Sequence, residues 1–287
     1  MQVVFRTIKQ TRPDWQDFLF CSDVHFGEES CCVDAFVKDL KEAKYRKARI
    51  NIIGDLLGMI LPKDIKRYQP STVKKEHRQY NAIVNQVIDD MADILLPYAD
   101  LIDVIGLGNH EISIINHHST DTHAFLMGKL ASLCERDKRP FTASHGGICG
   151  FIRYQFDVGG HRKPFVVKYH HGAGGSAPVT KGMIGLQRVK TQWLADMYVE
   201  GHDHNRIVDT DVVIGLNSSG NIEQRNTRAI KCGNYRISYP LQSQKDAGNI
   251  DYTELSHSQV KPLGGVFAKV RLVKAKAGSY FEQRVEA

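Results

Sequence analysis

Residues 101–111, LIDVIGLGNHE, carry the reading of this chain. The run from Leu101 to Ile105 is short, rich in Ile and followed by a glycine turn, which is the pattern of a buried strand. Directly past it stand Asn109, His110 and Glu111, and α/β folds place their sites just beyond the carboxyl ends of strands. Four further stretches repeat the form: Phe18 to Cys21 ahead of Asp23 and His25, Ile50 to Ile53 ahead of Asp55, Phe165 to Val167 ahead of His171, and Met197 to Val199 ahead of His202 and His204. Five strand ends therefore present side chains that ligate metals or move protons.

Helical periodicity fills the spaces between them. Val33 to Lys47 carries apolar residues at 33, 36, 37, 40 and 43, and Tyr80 to Leu96 carries Ile83, Val84, Val87, Ile88, Met91, Ile94 and Leu95 ahead of Pro97. From His145 onward the pattern predicts antiparallel strands turning at Gly146-Gly147 and Gly159-Gly160, with Ala229 to Ser238 and Gly265 to Val273 as later strands. No repeat or low-complexity segment interrupts the order. The predicted fold class is α/β, two packed sheets flanked by helices, in one domain spanning residues 1–287.

Composition narrows the class further. With 42% hydrophobic and 24% charged residues the chain is globular rather than disordered. No stretch approaches the roughly 20 apolar residues of a membrane helix, and the first fifteen residues lack the apolar core of a signal peptide, so a cytoplasmic protein with no membrane partner is expected. The six cysteines, at 21, 31, 32, 134, 149 and 232, form no CxxC pair and read as reduced thiols. A net charge of +6 favours an anionic partner such as a nucleotide or nucleic acid, and is equally the mark of a solvated mixed-charge surface. The polar, basic stretch from Lys63 to Arg78, within a segment at about 59–80, reads either as a substrate-facing insertion or as a solvated loop and helix start.

The residue set suits hydrolysis at phosphorus. Two-metal catalysis needs nitrogen and oxygen ligands on two ions roughly 3.5–4 Å apart and a carboxylate able to bridge them. Asp23 and His25, two residues apart on an extended strand end, share a face and can reach one ion, and His202 and His204 stand in the same relation. Asp55, alone after a buried strand, suits a bridge; by itself it would also suit a helix N-cap. Asn109 is a turn residue or, through its amide oxygen, a ligand. His117, His118 and His123 fit no ligand spacing and read as surface or rim residues. Lys181 and Arg188 read either as phosphate contacts or as solvated side chains, and the backbone of Gly172 to Ser176 either meets phosphate or is a flexible loop.

Taken in order, Asp23-Val24-His25, Gly54-Asp55, Gly108-Asn109-His110-Glu111, His171-Gly172 and Gly201-His202-Asp203-His204 resemble the signature of the calcineurin-like metallophosphoesterases over residues 23–204. The resemblance implies a four-layer α-β-β-α sandwich of two mixed sheets. It implies Asp23, His25 and His204 on a first metal, Asp55 as bridge, and Asn109, His171 and His202 on a second, with His170 the alternative to His171. His110 would be the catalytic histidine and a hydroxide between the metals the nucleophile. The cofactors would be two divalent cations, Mn favoured, with Fe, Zn or Ni also accepted by such donors.

The pattern departs from that of the family's serine/threonine phosphatases at Gly58, where they carry an aspartate that orients the catalytic histidine, and at Gly106-Leu107, where an arginine is missing. Loss of the arginine grip weakens binding of a phosphomonoester dianion. The resemblance thus favours a phosphodiesterase acting on a nucleotide or nucleic acid. Other readings are a phosphomonoesterase, a non-catalytic scaffold and a nucleic-acid-binding module built on the basic segment.

Overall fold

The structure, a computed structural model, describes residues 1–58, 83–175, 177–216, 220–239, 259–275 and 278–286, together with 61, 63, 73, 74, 76 and 77. In chain order the elements are β1 (Gln2–Gln10), β2 (Gln16–Cys21), α1 (Val33–Arg46), β3 (Arg49–Ile52), α2 (Ile83–Leu95), β4 (Ile102–Ile105), α3 (Asn109–His118), α4 (Thr122–Arg136), β5 (Ser144–His145), β6 (Cys149–Val158), β7 (His161–His170), α5 (Met183–Gln192), β8 (Met197–Glu200), β9 (Arg206–Leu216), β10 (Ile222–Cys232), β11 (Val266–Ala275) and β12 (Gly278–Glu286). They form two six-stranded mixed sheets, ordered β12-β11-β2-β3-β4-β5 and β1-β6-β7-β8-β10-β9. Most of the basic segment lies outside the described residues, as does the predicted start of the second helix at Tyr80.

Local pattern explains the layers. In the first sheet β2, β3, β4 and β5 run parallel, and the short apolar sequences of β2, β3 and β4 are buried on both faces, as helix-covered parallel strands require, while the two-residue edge strand β5 (Ser144–His145) is half-buried to exposed. One face, with Leu19, Ile50, Ile52 and Ile102, packs against Phe36, Leu40 and Ala43 of α1, Val87, Met91 and Leu95 of α2, and Leu126 and Leu130 of α4. The other face contributes Phe18, Phe20 and Val104 to the layer between the sheets, against Ile152, Tyr154, Phe165, Val167 and Val199. Strand β6 alternates buried and half-buried residues along its length, the period-two signature of a strand with one face in the core. The outer face of the second sheet meets α5, through Leu186 against Tyr198 and Ala229. The result is the expected α-β-β-α order, with one helical layer much thicker than the other.

The strands after His145 are not uniformly antiparallel. Pairs β6–β7 and β9–β10 are, but β1–β6, β7–β8 and β8–β10 are parallel. The crossover through α5 makes β7 and β8 parallel and brings their carboxyl ends to one side. The final hairpin, β11 and β12, returns to the first sheet, where β11 pairs antiparallel with β2. All six cysteines are unpaired thiols, and no helix among the described residues is long and apolar enough to cross a membrane.

Two buried polar groups hold the layers in register. Asp103 on β4, fully buried, accepts from Arg6 of β1 at 2.6 Å and from the Tyr154 hydroxyl of β6 at 2.9 Å, and pairs with Arg49 of β3, so one carboxylate ties both sheets together. His123 on α4 is 2% exposed, its Nε2–H donating to the Ile105 carbonyl at 2.8 Å. It is a structural histidine rather than the surface or rim residue that its spacing suggested.

Removing the Asp103 charge leaves two guanidiniums without their carboxylate. Because Arg6 and Arg49 keep about a fifth of their side-chain exposure (20% and 21%), the Asp103→Asn cost falls at the low end for a broken buried pair, about 3 kcal/mol by urea unfolding. Burial, aided by the His145 ring, lowers the His123 pKa from 6.5 to about 4. The unfolded chain therefore binds the extra proton first, and the stabilisation from neutral His123, full above pH 6.5, is lost as pH falls toward 4. The expected loss is about 3 kcal/mol, and it should shrink in His123→Gln, which keeps the donor, when the two proteins are unfolded in urea at pH 7.5 and 4.5.

Candidate metal centre

The carboxyl ends of β2, β3 and β4 in one sheet and of β7 and β8 in the other meet at a common edge. Pairing continues beyond the strands: Asp23 N donates to Gly54 O (3.0 Å), His25 N to Asp55 O (3.0 Å), Phe26 N to Leu56 O (2.9 Å), and across the other sheet Gly201 N to His171 O (3.0 Å). The sheets are joined where His202 N donates to Asp23 Oδ2 at 2.8 Å.

The backbone here is unusual. Asp23, His25, Asp55, His202 and His204 all have positive φ, between 47° and 73°, and they are half of the ten described non-glycine residues that do. Each such residue costs on the order of 1 kcal/mol, so its clustering marks a place where surroundings override local preference. It also corrects the expectation for Asp23 and His25. They converge because two left-handed turns fold both side chains inward, not because they share the face of an extended strand.

The convergence is tight. Asp23 Oδ1, His25 Nε2 and His204 Nε2 form one group, at 3.8 Å for Asp23 to His25, 3.5 Å for Asp23 to His204 and 3.2 Å between the two ring nitrogens. Asp55, His171 and His202 form a second, with His171 Nε2 at 3.2 Å from Asp55 Oδ2. Asn109, the first residue of α3, turns Oδ1 toward both histidines of this group, 3.1 Å from His171 Nε2 and 2.8 Å from His202 Nδ1. Asp55 Oδ2 also lies 4.0 Å from His25 Nε2, so it faces both groups. Of the adjacent histidines, His171 enters the site, whereas His170 Nδ1 accepts from Gly172 N at 2.7 Å.

His110 stands beside the groups with Nε2 4.0 Å from Asp55 Oδ2 and Nδ1 3.5 Å from Glu28 Oε1. Its backbone N–H donates to Asp55 Oδ1 at 2.9 Å, so Asp55 caps α3 from another loop rather than the segment following it. Glu111 joins the same two loops, accepting from Leu57 N and Gly108 N at 2.8 Å each. Glu28 and Glu111 are the neighbours that sequence spacing did not single out. Glu111 was visible inside GNHE, while Glu28 had only its place three residues after His25 as a signal. Lys181 is exposed, its carbonyl accepting from Asn205, and Arg188 is exposed on α5.

The electrostatics favour added positive charge. Burial alone would raise the Asp55 pKa, yet the charges of His110, His171 and His25 hold it well below the carboxylate range. Burial likewise opposes charge on His171, but Asp55 and then Asp23 and Glu111 lift it to about 9. Burial and the Asp55 charge push Glu111 up to about 7. Without another cation, protons supply the compensation. Asp23 Oδ1 is buried with no hydrogen-bond partner among the described residues, and two imidazole nitrogens face each other beside it. Such nitrogen and carboxylate donors, aimed at common points, fit divalent cations of the first transition row.

No protein-family model matches the chain, and no curated protein does either. Among solved structures it is similar to Vps29 of Chaetomium thermophilum, at 9% identity and a TM-score of 0.36 over 95% of this chain and 97% of that one. It is also similar to GAP50, the anchor in the inner membrane complex of Plasmodium, at 10% identity and a TM-score of 0.39 over 94% of this chain and 88% of that one. Likenesses this distant carry no weight for function.

Gly108 tests how closely the loops must meet. A Cβ there would stand 2.0 Å from Asp55 Oδ1 and 2.4 Å from Asp55 N. Gly108→Ala should displace the carboxylate and weaken Mn²⁺ binding at least about tenfold by calorimetric titration.

Proposed function

We propose that the protein is a dinuclear metal-dependent phosphodiesterase acting on a nucleotide or nucleic-acid substrate. The observation that supports this reading best is the meeting of two donor groups around one carboxylate, Asp55. Asp23, His25 and His204 would hold one cation, Asn109, His171 and His202 the other, and Asp55 both. Cations held there would supply Lewis acidity to the phosphoryl oxygens and lower the pKa of water.

The chain's own residues would do the rest. With Nδ1 turned toward Glu28, His110 has Nε2 on the side of Asp55 and the two donor groups. From there Nε2–H would donate its proton to the leaving oxygen as the P–O bond breaks, while water forms the new P–O bond. The products are a phosphomonoester and an alcohol, and the proton is recovered from the water consumed. Among the described residues, two cations beside the site are already engaged: Arg236 with Glu28 at 3.4 Å, and Lys231 with Glu200 at 2.8 Å and Asp203 at 2.9 Å. Committed side chains offer little for a dianion's extra charge, which favours a diester over a monoester.

The test is a screen of the Mn-loaded protein against bis(p-nitrophenyl) phosphate, p-nitrophenyl phosphate, cyclic nucleotides, DNA and RNA. Diester hydrolysis should exceed monoester hydrolysis, and His110→Ala should lower kcat on a dinucleoside monophosphate by about 10²–10⁴ while leaving metal content unchanged. Phosphate release from monoesters with none from any diester would overturn the substrate class. A protein holding two metals that turns over no ester would overturn the activity.

A further inference from the structure

Position 58, where the resemblance would place the acid that orients His110, is glycine. Around His110 the structure places a carboxylate from elsewhere. Glu28 is 5% exposed, and its Oε1 lies 3.5 Å from His110 Nδ1 and 3.6 Å from His25 Nδ1. The two imidazoles meet edge to face, centroids 4.5 Å apart, and each has Nε2 4.0 Å from Asp55 Oδ2. One carboxylate thus lies behind both rings while their other nitrogens face the site.

The position of Glu28 is itself fixed. Its Oε2 accepts from Ser30 Oγ at 3.4 Å and pairs with Arg236 Nε at 3.4 Å, while Arg236 Nε also donates to Ser30 Oγ at 3.0 Å. Its backbone N–H donates to His25 O at 3.1 Å, Lys74 N donates to the adjoining Gly27 O at 2.9 Å, and residue 28 forms an isolated bridge with Val73. Gly58 is part of the same arrangement. A Cβ at 58 would come within 2.8 Å of Glu28 Cγ and 2.7 Å of His25 Cα, so a side chain at 58 and the carboxylate of Glu28 compete for one space.

We propose that Glu28 is the positioning residue for His110, accepting from Nδ1–H and so holding Nε2 toward the leaving oxygen. This rests on the phosphodiesterase reading for its consequence, but not for its geometry. A ring held this way presents its proton in one direction, and the benefit is greatest where the leaving group needs protonation. The same carboxylate, behind His25, fixes a candidate metal ligand through its second nitrogen, as carboxylates behind metal-binding histidines do.

The experiment compares wild type with Glu28→Gln, loaded with Zn²⁺ for spectroscopy and Mn²⁺ for kinetics. In ¹⁵N-histidine spectra the His110 Nδ1–H proton, assigned by its loss in His110→Asn, should stand downfield in wild type and move upfield in Glu28→Gln. The variant's kcat should fall about 10- to 100-fold on a dinucleoside monophosphate, and less than about threefold on bis(p-nitrophenyl) phosphate, whose leaving group departs unprotonated, with KM little changed. Gly58→Asp should not restore Glu28→Gln. An unmoved Nδ1–H signal, equal losses on both esters, or loss of bound metal as the sole change would each overturn the proposal. Should Glu28→Gln not fold, Glu28→Asp, which keeps the charge but withdraws it from the ring, is read by the same signal and the same pair of esters. If wild type hydrolyses no ester, the phosphodiesterase reading fails, and the Nδ1–H signal still decides whether Glu28 holds the ring.

Discussion

One buried carboxylate organises the site. Asp55 is 2% exposed and would be costly as an isolated charge, yet it faces the rings of His25, His110 and His171 and accepts the N–H of His110 at the start of α3. That contact sets where α3 begins, and α3 in turn delivers Asn109 and His110. Both sheets must be in register for these partners to reach it, since His171 arrives from one sheet and Asp55 from the other. The charge of Asp55 thus depends on the fold, and the geometry of the site depends on that charge being compensated.

The left-handed residues show the cost of this arrangement. Five donor-bearing residues sit in a backbone region disfavoured for side chains with a Cβ, at the tips of loops whose hydrogen bonds extend the parallel pairing beyond the strands. Strain on the order of 1 kcal/mol per residue is tolerable because the sandwich beneath is rigid. The apolar layers and the Asp103 node hold the strand ends fixed, and the loops inherit that precision. Close approach adds to it: the absent side chains at Gly58 and Gly108 leave room for the loops carrying Glu28 and Asp55.

Much of this was legible in the chain. Short apolar runs ending in Asp23, Asp55, Asn109, His171 and His202 predicted strand ends bearing donors, because a buried parallel strand is apolar on both faces and its polar residues gather where it stops. The periodicity of Val33 to Lys47 matched α1, since one face must be apolar to cover a sheet. Order along the chain could also suggest one carboxylate between two donor groups. The reason offered for the convergence of Asp23 and His25 was nonetheless mistaken, because φ is not written in residue type when surroundings impose it.

What only the tertiary structure decided is everything that depends on distance between remote segments. His123 and its partner Ile105 O are 18 residues apart, and nothing in the spacing marks that ring as buried. The parallel pairing of β7 with β8 follows from the α5 crossover, and the return of β11 to β2 joins residues about 250 positions apart. The clearest case is the neighbour of His110. Sequence alone determined which donors this protein carries and that position 58 holds no acid. Only the folded chain, by bringing residue 28 into the space that Gly58 leaves empty, determined which carboxylate stands behind His110.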